Sequence, residues 1–121
     1  MKILNLTQHL ATPEQVTQGV YEPEASLKAK VQQLLTFDEL PDEDELNSSA
    51  VELVRIAIEQ GAEAVLIGGA PFLMPALYLC FYPTSIKVLY SFSKRVCVEK
   101  MNPDGTVTKT NVFRHEGFVE Y

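Results

Sequence analysis

The sequence predicts an α/β domain in which helices connect the strands of a central parallel sheet. Three apolar, strand-like segments, residues 2–6, 64–67 and 86–92, alternate with stretches of helical periodicity. Residues 64–67 form an uninterrupted apolar run, which is typical of a strand covered on both faces. The order strand, helices, strand, helix, strand is typical of parallel strands joined by crossover helices. We therefore expect a central parallel sheet of about three strands, extended by a C-terminal antiparallel hairpin.

The first helix has the clearest start signal in the chain. Thr12 is a suitable N-cap, and Pro13 stands at the first helical position, where no backbone N–H is needed. Gln15, three residues after the cap, completes a capping box. We expect this helix to begin at Pro13 and to end at Gly19 after about two turns.

Three further helices are expected between the strands. They share apolar residues at helical spacing and a Pro, Ser or Gly at a boundary. Their expected ranges are 23–37, then 48–61 starting from a Ser48 or Ser49 cap, and 71–81 with a kink at Pro75.

The C-terminal part of the chain is expected to form a hairpin after the third strand. Its arms are expected over residues 95–100 and 106–113. Between them lies the turn Asn102-Pro103-Asp104-Gly105, with Pro at the second and Gly at the fourth position.

Length and composition fit one domain over residues 1–121, with a hydrophobic content of 46%. The most apolar stretch, residues 62–81, is interrupted by charge, glycine and proline, so we expect no membrane span. The N-terminus does not resemble a secretory signal. Cys80 and Cys97 lie in apolar surroundings and lack metal-ligand spacing, so we expect reduced core residues in a cytoplasmic protein, with no bound metal and no cofactor.

Charge is distributed unevenly along the chain, whose formal net charge is −6. Residues 1–60 carry four Lys/Arg against eleven carboxylates, whereas residues 61–121 carry six against five. A general nucleic-acid binder would need a basic face, so the net charge argues against that class. The acidic segment 38–45 is expected to be a solvated loop that runs into a helix N-terminus. A partner-binding or metal-binding role for it is the alternative.

The expected sheet brings three loops together, because ligands of such sheets bind at the carboxyl ends of parallel strands. These loops are residues 7–9, 68–70 and 91–95. They combine hydroxyls, an amide, an imidazole, two glycines and two cations, a set that suits an anionic or nucleotide ligand. The candidate catalytic residues are His9 and Arg95, and the candidate ligand-binding residues are Thr7, Gln8, Gly68, Gly69, Ala70, Ser93 and Lys94.

Each of these features also has a structural interpretation. Gly68-Gly69 fits a tight strand-to-helix turn, because it is neither a phosphate-loop motif nor a three-glycine dinucleotide fingerprint. His9 can act as a capping or packing residue, and cations such as Lys94 also protect strand edges. His115 is expected at the surface. The histidines and cysteines do not have the spacing of a zinc site. The sequence also shows no order of Ser, His and Asp that indicates a catalytic triad.

Two segments, "ILNLTQHLATPEQ" and "VLIGGAPFLMPAL", resemble strand-loop-helix units of small prokaryotic Rossmann-like CRISPR-associated proteins. In that group, CARF-type sensors and ring nucleases bind cyclic oligoadenylate across a homodimer. The resemblance implies a three-layer Rossmann-like domain, a homodimer, and ligand binding by residues 7–9 and 68–70. No lysine follows the glycine pair here, which departs from the better-known members.

For catalysis the resemblance implies a metal-independent phosphodiesterase. A ribose 2′-hydroxyl would attack the adjacent phosphodiester, Lys94 or Arg95 and backbone amides would stabilise charge, and His9 would transfer a proton.

Two other functions remain open at this level. One is a non-catalytic protein-interaction module, of mobile-element origin, that uses the apolar fourth helix and the acidic segment 38–45. The other is a metabolic enzyme for an anionic small molecule, which would need more acid/base groups than the sequence offers.

Overall fold

A computed structural model describes all 121 residues and contains a single five-stranded sheet. Its strands are β1 (Ile3–Leu6), β2 (Val20–Tyr21), β3 (Ala64–Ile67), β4 (Lys87–Met101) and β5 (Val107–Glu120), in the spatial order β2-β1-β3-β4-β5. The first four are mutually parallel, and β5 is antiparallel to β4. The mixed α/β class is confirmed, and the sheet is larger than expected.

Four helices connect these strands. They are α1 (Pro13–Thr17), α2 (Ala25–Leu34), α3 (Glu43–Glu59) and α4 (Met74–Phe81). None of them is both long enough and apolar enough to cross a membrane.

The predicted start of α1 is confirmed in detail. The Thr12 hydroxyl accepts a hydrogen bond from the Gln15 amide at 3.2 Å, and the Gln15 side chain accepts one from the Thr12 amide at 3.0 Å. The helix is shorter than expected, with five residues. It ends because the chain turns at Gly19, whose φ is +108°, into the short strand β2, which the sequence analysis missed.

The expected start of α3 at Ser48 or Ser49 is wrong, because the helix begins at Glu43. Asp42 is the N-cap, and its side chain accepts a hydrogen bond from the Glu45 amide at 2.8 Å. Three carboxylates of the acidic segment 38–45 therefore occupy the first helical turn, where they favour the positive end of the helix dipole.

The expected division of residues 86–113 into a strand and a separate hairpin is also wrong. One continuous strand, β4, covers both the third strand and the first hairpin arm. It pairs with β3 only through Lys87, Val88 and Leu89, and from there onward with β5 alone. We call residues 92–116 the arm: a two-stranded ribbon that extends about 30 Å past the other strands, at 3.4 Å per residue.

Side chains of the short parallel strands alternate between two apolar clusters. Leu4, Leu6, Val65, Ile67 and Val88 pack with α2, α3 and α4 in the larger cluster of 14 buried residues. The opposite face of the sheet holds a smaller cluster of five buried residues: Ile3, Val20, Ala64, Leu66 and Leu89. Ala11 and Phe118 pack against this smaller cluster, and α1 contributes no buried residue.

Cys80 and Cys97 are both free, but they are not equivalent. Cys80 is half-buried in α4, whereas Cys97 is exposed on the arm. The expectation of two core cysteines is wrong for Cys97, because β4 continues beyond the part of the sheet that the helices cover.

Candidate functional site

A cavity of about 370 Å³ lies at the carboxyl ends of β1 and β3, between these two central strands. Its walls are the loop after β1, the loop after β3 and one side of β4. The lining residues are Thr7, Gln8, His9, Leu10, Thr12, Gln15, Leu66, Ile67, Gly68, Gly69, Tyr90 and Ser91. None of the twelve carries a carboxylate, although the chain has 16.

The loop after β1 is built on Asn5, which is the one buried residue with a polar side chain. Its Oδ1 accepts hydrogen bonds from the Thr7 amide at 3.0 Å and the Thr7 hydroxyl at 2.7 Å. Its Nδ2 donates to the His9 carbonyl at 2.7 Å and to both carboxylate oxygens of Glu22. Because a buried amide must be paired, these bonds fix the backbone from residue 5 to residue 9.

Glu22 anchors the other end of this loop. Its Oε2 accepts a hydrogen bond from the Ala11 amide at 3.1 Å in addition to the bond from Asn5. Lys28 lies 3.7 Å from its Oε1. The carboxylate of Glu22 therefore already has hydrogen-bond donors and a cation as partners, and it is absent from the cavity lining.

The loop is also tied to α2. Gln8 Nε2 donates to the Leu35 carbonyl at 3.3 Å and to the Thr36 hydroxyl at 3.0 Å. Gln32 Nε2 donates to the Thr7 carbonyl at 3.2 Å. The Gln8 side chain thus holds the loop in place, and its backbone remains available to the cavity.

Four residues of this lining have backbone N–H groups without a partner. The N–H groups of Gln8, Leu10, Gly68 and Gly69 donate no hydrogen bond within the chain. Gly69 has a φ of +126°, a conformation that side chains disfavour, and an added Cβ there would meet no atom within 4 Å. Successive free N–H groups beside such a glycine are typical of anion-binding concavities.

Helix α4 does not contribute to these donors. It begins at Met74, three residues later than the expected start at Pro71, because residues 71–73 form a turn in which the Leu73 amide bonds to the Ala70 carbonyl. No residue of α4 lines the cavity. The N-terminus of α4 therefore provides no donor to the cavity.

A series of side-chain hydrogen bonds runs from the cavity wall to the surface through Ser91. The Ser91 hydroxyl lies 2.9 Å from His115 Nδ1 and accepts a hydrogen bond from Gln15 Nε2 at 3.2 Å. His115 Nε2 lies 2.8 Å from Gln18 Oε1. The ring of His115 also packs against Phe118, with ring centroids 4.8 Å apart. These contacts hold α1 on the sheet.

Tyr90 forms an apolar part of the wall and also borders a second cavity, next to α4. Burial raises its pKa above the usual value of 10.0, and the neighbouring Tyr121 raises it further. Tyr90 is therefore a neutral hydroxyl near pH 7.

The cavity brings together five of the nine residues predicted from the sequence: Thr7, Gln8, His9, Gly68 and Gly69. His9 is exposed, and its ring makes no hydrogen bond within the chain. Ala70 directly follows the lining. Ser93, Lys94 and Arg95 lie on the arm.

The positions of Lys94 and Arg95 follow from the length of β4. Lys94 pairs in register with Arg114, and the Arg95 guanidinium lies 5.6 Å from the centre of the Phe113 ring. Neither lines the cavity, because β4 carries them past the strand ends instead of turning into a loop.

Asn5, Gln15 and Tyr90 lie outside the residues predicted for the site, and Ser91 belongs to the predicted loop 91–95 but not to the candidate ligand-binding residues. A signal existed for Asn5, since an amide inside an apolar strand must find partners when it is buried. No local signal marks Ser91, whose role depends on a residue 24 positions later. The chain has no cluster of three or more His, Cys, Asp or Glu side chains that could hold a metal ion.

Comparisons with known proteins identify a family and no activity. No curated protein matches the chain, and no solved structure matches it either. The sequence model of the uncharacterized protein MJ1673 family matches residues 1–119, nearly the whole chain. This chain therefore belongs to the uncharacterized protein MJ1673 family.

Proposed function

We propose that this protein binds an anionic ligand, a nucleotide or another phosphate compound, in the cavity between β1 and β3. The supporting observation is the composition of the lining: four residues with unpaired backbone N–H groups and no carboxylate, in a chain of net charge −6. Donors without competing negative charge favour an anion. The wall residues Leu10, Leu66 and Tyr90 add apolar surface suited to a base or sugar.

The position of the cavity supports the same proposal. From β1 the chain goes to β2 on one side, and β3 lies on the other side of β1. Doubly wound, Rossmann-like three-layer domains bind ligands where the strand order reverses in this way. We therefore also propose that this is a Rossmann-like three-layer domain, with α1 on one face of the sheet and the other helices on the opposite face.

The specific version of this proposal is a metal-independent phosphodiesterase that acts on cyclic oligoadenylate. A ribose 2′-hydroxyl would attack the phosphorus in line, His9 would transfer a proton, and the N–H groups of Gly68 and Gly69 would stabilise charge. Because Lys94 and Arg95 lie outside the lining, they have no part in this version. A cavity of about 370 Å³ is at the small end of ligand sites, so a cyclic oligonucleotide would extend beyond it.

The test is calorimetric titration with AMP, ATP, cyclic tetra-adenylate and inorganic phosphate, with adenosine as the uncharged control. Gly68→Asp and Gly68→Asn form a matched pair, because a Cβ at Gly68 makes only an ordinary 3.6 Å contact with Thr7. We expect Gly68→Asp to weaken binding about 10-fold more than Gly68→Asn, since only the charge differs. Absence of binding by every phosphate compound would refute the proposal.

A second candidate function is a protein-interaction module, favoured by the arm. Both of its faces are exposed, and it presents the apolar residues Val98, Val112 and Phe113. Lys94 lies opposite Arg114 in register, and neither has an ion-pair partner within the chain. The six carboxylates of the acidic segment 38–45 also lack one.

These unpaired charges are complementary, so the partner proposed for the arm is a second copy of this chain. The arm of one copy would lie against the start of α3 of the other, and the contact would be reciprocal in a two-fold dimer. The molar mass in solution tests this. We expect a dimer that dissociates in Lys94→Glu/Arg114→Glu and persists in Lys2→Glu. A monomeric wild-type chain at high protein concentration would refute it.

A further inference from the structure

We infer that Ser91 is a nucleophile of this cavity and that His115 is its general base, with Gln18 as the positioning residue. The inference deepens the proposed function and rests on it, because the substrate it requires is a phosphoester held by the cavity. It differs from the 2′-hydroxyl mechanism in two respects: the attacking oxygen belongs to the protein, and His115 instead of His9 transfers the proton.

The hydrogen bonds define the roles of the two ring nitrogens of His115. The side-chain oxygen of Gln18 accepts only, so Nε2 of a neutral imidazole carries the hydrogen that it donates over 2.8 Å. Nδ1 is then unprotonated and accepts the hydroxyl hydrogen of Ser91 over 2.9 Å. A hydroxyl bonded to a base that a third group orients is the general arrangement of an activated serine.

A β-bulge places His115 where it can do this. Phe92 pairs with Gly117 and Ser93 pairs with His115, so Glu116 is an extra residue in β5. Without the bulge, Glu116 would lie opposite Ser93, and His115 would point to the other face of the ribbon. Bulges next to active sites redirect side chains in this manner.

The remaining requirements are met by the cavity wall. Ser91 lines the cavity, and so does Gln15, whose side-chain Nε2 donates a hydrogen bond to the Ser91 hydroxyl. The unpaired N–H groups of Gly68 and Gly69 are in the same lining. They are available to stabilise the oxygens of a phosphoryl group while its charge increases in the transition state.

The chemical step follows from these positions. Ser91 Oγ attacks the phosphorus while its proton passes to His115 Nδ1, and the bond between phosphorus and the leaving oxygen breaks. His115 returns the proton to the leaving oxygen, which gives an alcohol and a phosphorylated serine. Water, deprotonated by His115 Nδ1, then attacks the phosphorus of this intermediate, and the bond between phosphorus and Ser91 Oγ breaks. His115 returns the proton to Ser91 Oγ, which releases the phosphate product and restores both side chains. No redox change and no further reactant are needed.

Two probes test the inference. The first is bis(p-nitrophenyl) phosphate, which lacks a 2′-hydroxyl and is therefore no substrate for 2′-hydroxyl attack. The second is an alkyl fluorophosphonate. An activated serine attacks its phosphorus and displaces fluoride, which leaves a stable adduct on the serine oxygen. We expect turnover of the first, and a single adduct on Ser91 with the second, located by mass spectrometry.

Variants separate chemistry from folding. We expect Ser91→Ala and His115→Gln each to lower the turnover rate about 100-fold or more, while each variant still folds and still binds AMP. Gln18→Leu should lower turnover and Gln18→Glu should restore it, since a carboxylate also accepts from Nε2. Ser85→Ala, an exposed hydroxyl just before the start of β4, is the control and should keep full activity.

The outcomes are distinct from those for ligand binding. A chain that binds AMP but turns over the diester equally well after Ser91→Ala overturns the inference and leaves the proposed function standing. A wild-type chain that is neither labelled nor active overturns it as well, and so does cleavage of p-nitrophenyl acetate without cleavage of the diester. Loss of all phosphate binding in wild type refutes the proposed function itself.

Discussion

Asn5 holds the loop that forms one wall of the cavity. It is 2% exposed, and it both accepts from Thr7 and donates to His9 and Glu22. An amide can do this because it has donors as well as acceptors, whereas a carboxylate only accepts. The choice of asparagine therefore determines how the strand end leads into the loop.

We predict that Asn5→Asp destabilises the protein by roughly 2–4 kcal/mol near neutral pH. The substitution removes the donors to the His9 carbonyl and places two carboxylates together, because Glu22 lies 3.0 Å from Asn5 Nδ2. Urea unfolding measures the change. Asn111→Asp, on the exposed arm, is the control and should change the unfolding free energy by less than about 0.5 kcal/mol. Equal stability of the two variants would contradict the account.

At the scale of elements, helices α2 and α3 are joined by a group of charges around Glu52. Lys30 Nζ of α2 lies 2.5 Å from Glu52 Oε1, and Arg55 of α3 bonds to both oxygens of the same carboxylate. The hydrogen bond from Arg55 and then that from Lys30 lower the pKa of Glu52 from 4.5 to about 2. The ionised form of Glu52 is thus favoured in the folded state.

We predict a weaker acid dependence of stability for Glu52→Gln than for wild type. Because the folded pKa lies below the usual value, the contribution of Glu52 is fully present above pH 4.5 and is lost as the pH falls toward 2. The effect is small, since the group is exposed and screened by solvent. Unfolding free energies across this range measure it. The control is Glu39→Gln, which removes a carboxylate that has no ion pair, and its unfolding free energy should vary with pH as in wild type. If the unfolding free energy of Glu52→Gln also varies with pH as in wild type, the lowered pKa of Glu52 is refuted.

The whole molecule consists of a folded body and an arm that contributes nothing to its core. No residue from 92 to 114 is buried, whereas both apolar clusters are formed by the short parallel strands and the helices. Isolated two-stranded ribbons are marginally stable in water, and this agrees with the second candidate function, in which the arm contacts a partner.

We predict that replacing residues 95–113 with Asn-Gly leaves the body folded. The dipeptide suits a two-residue hairpin between Lys94 and Arg114, and Ser91 and His115 are retained. The unfolding temperature should fall by only about 4 °C or less, because no buried apolar surface is removed. Thermal denaturation followed by circular dichroism measures this. A variant that fails to fold would show that the arm carries part of the core stability.

The sequence specified the features that depend on neighbouring residues. The capping box of Thr12 and Gln15 determines where α1 begins, and the apolar runs determine β1 and β3. Because these strands are parallel, their loops meet, so Thr7, Gln8, His9, Gly68 and Gly69 could be predicted as a group.

The tertiary structure decided what depends on residues far apart in the chain. Pairing with β5 turns residues 87–101 into one strand, which places Lys94 and Arg95 on the arm and leaves Ser91 at the cavity. His115 reaches Gln18, 97 positions earlier, only because a bulge in β5 changes its face. Local propensity carries no information about such register and pairing, since these are set by contacts that exist only once the sheet has formed.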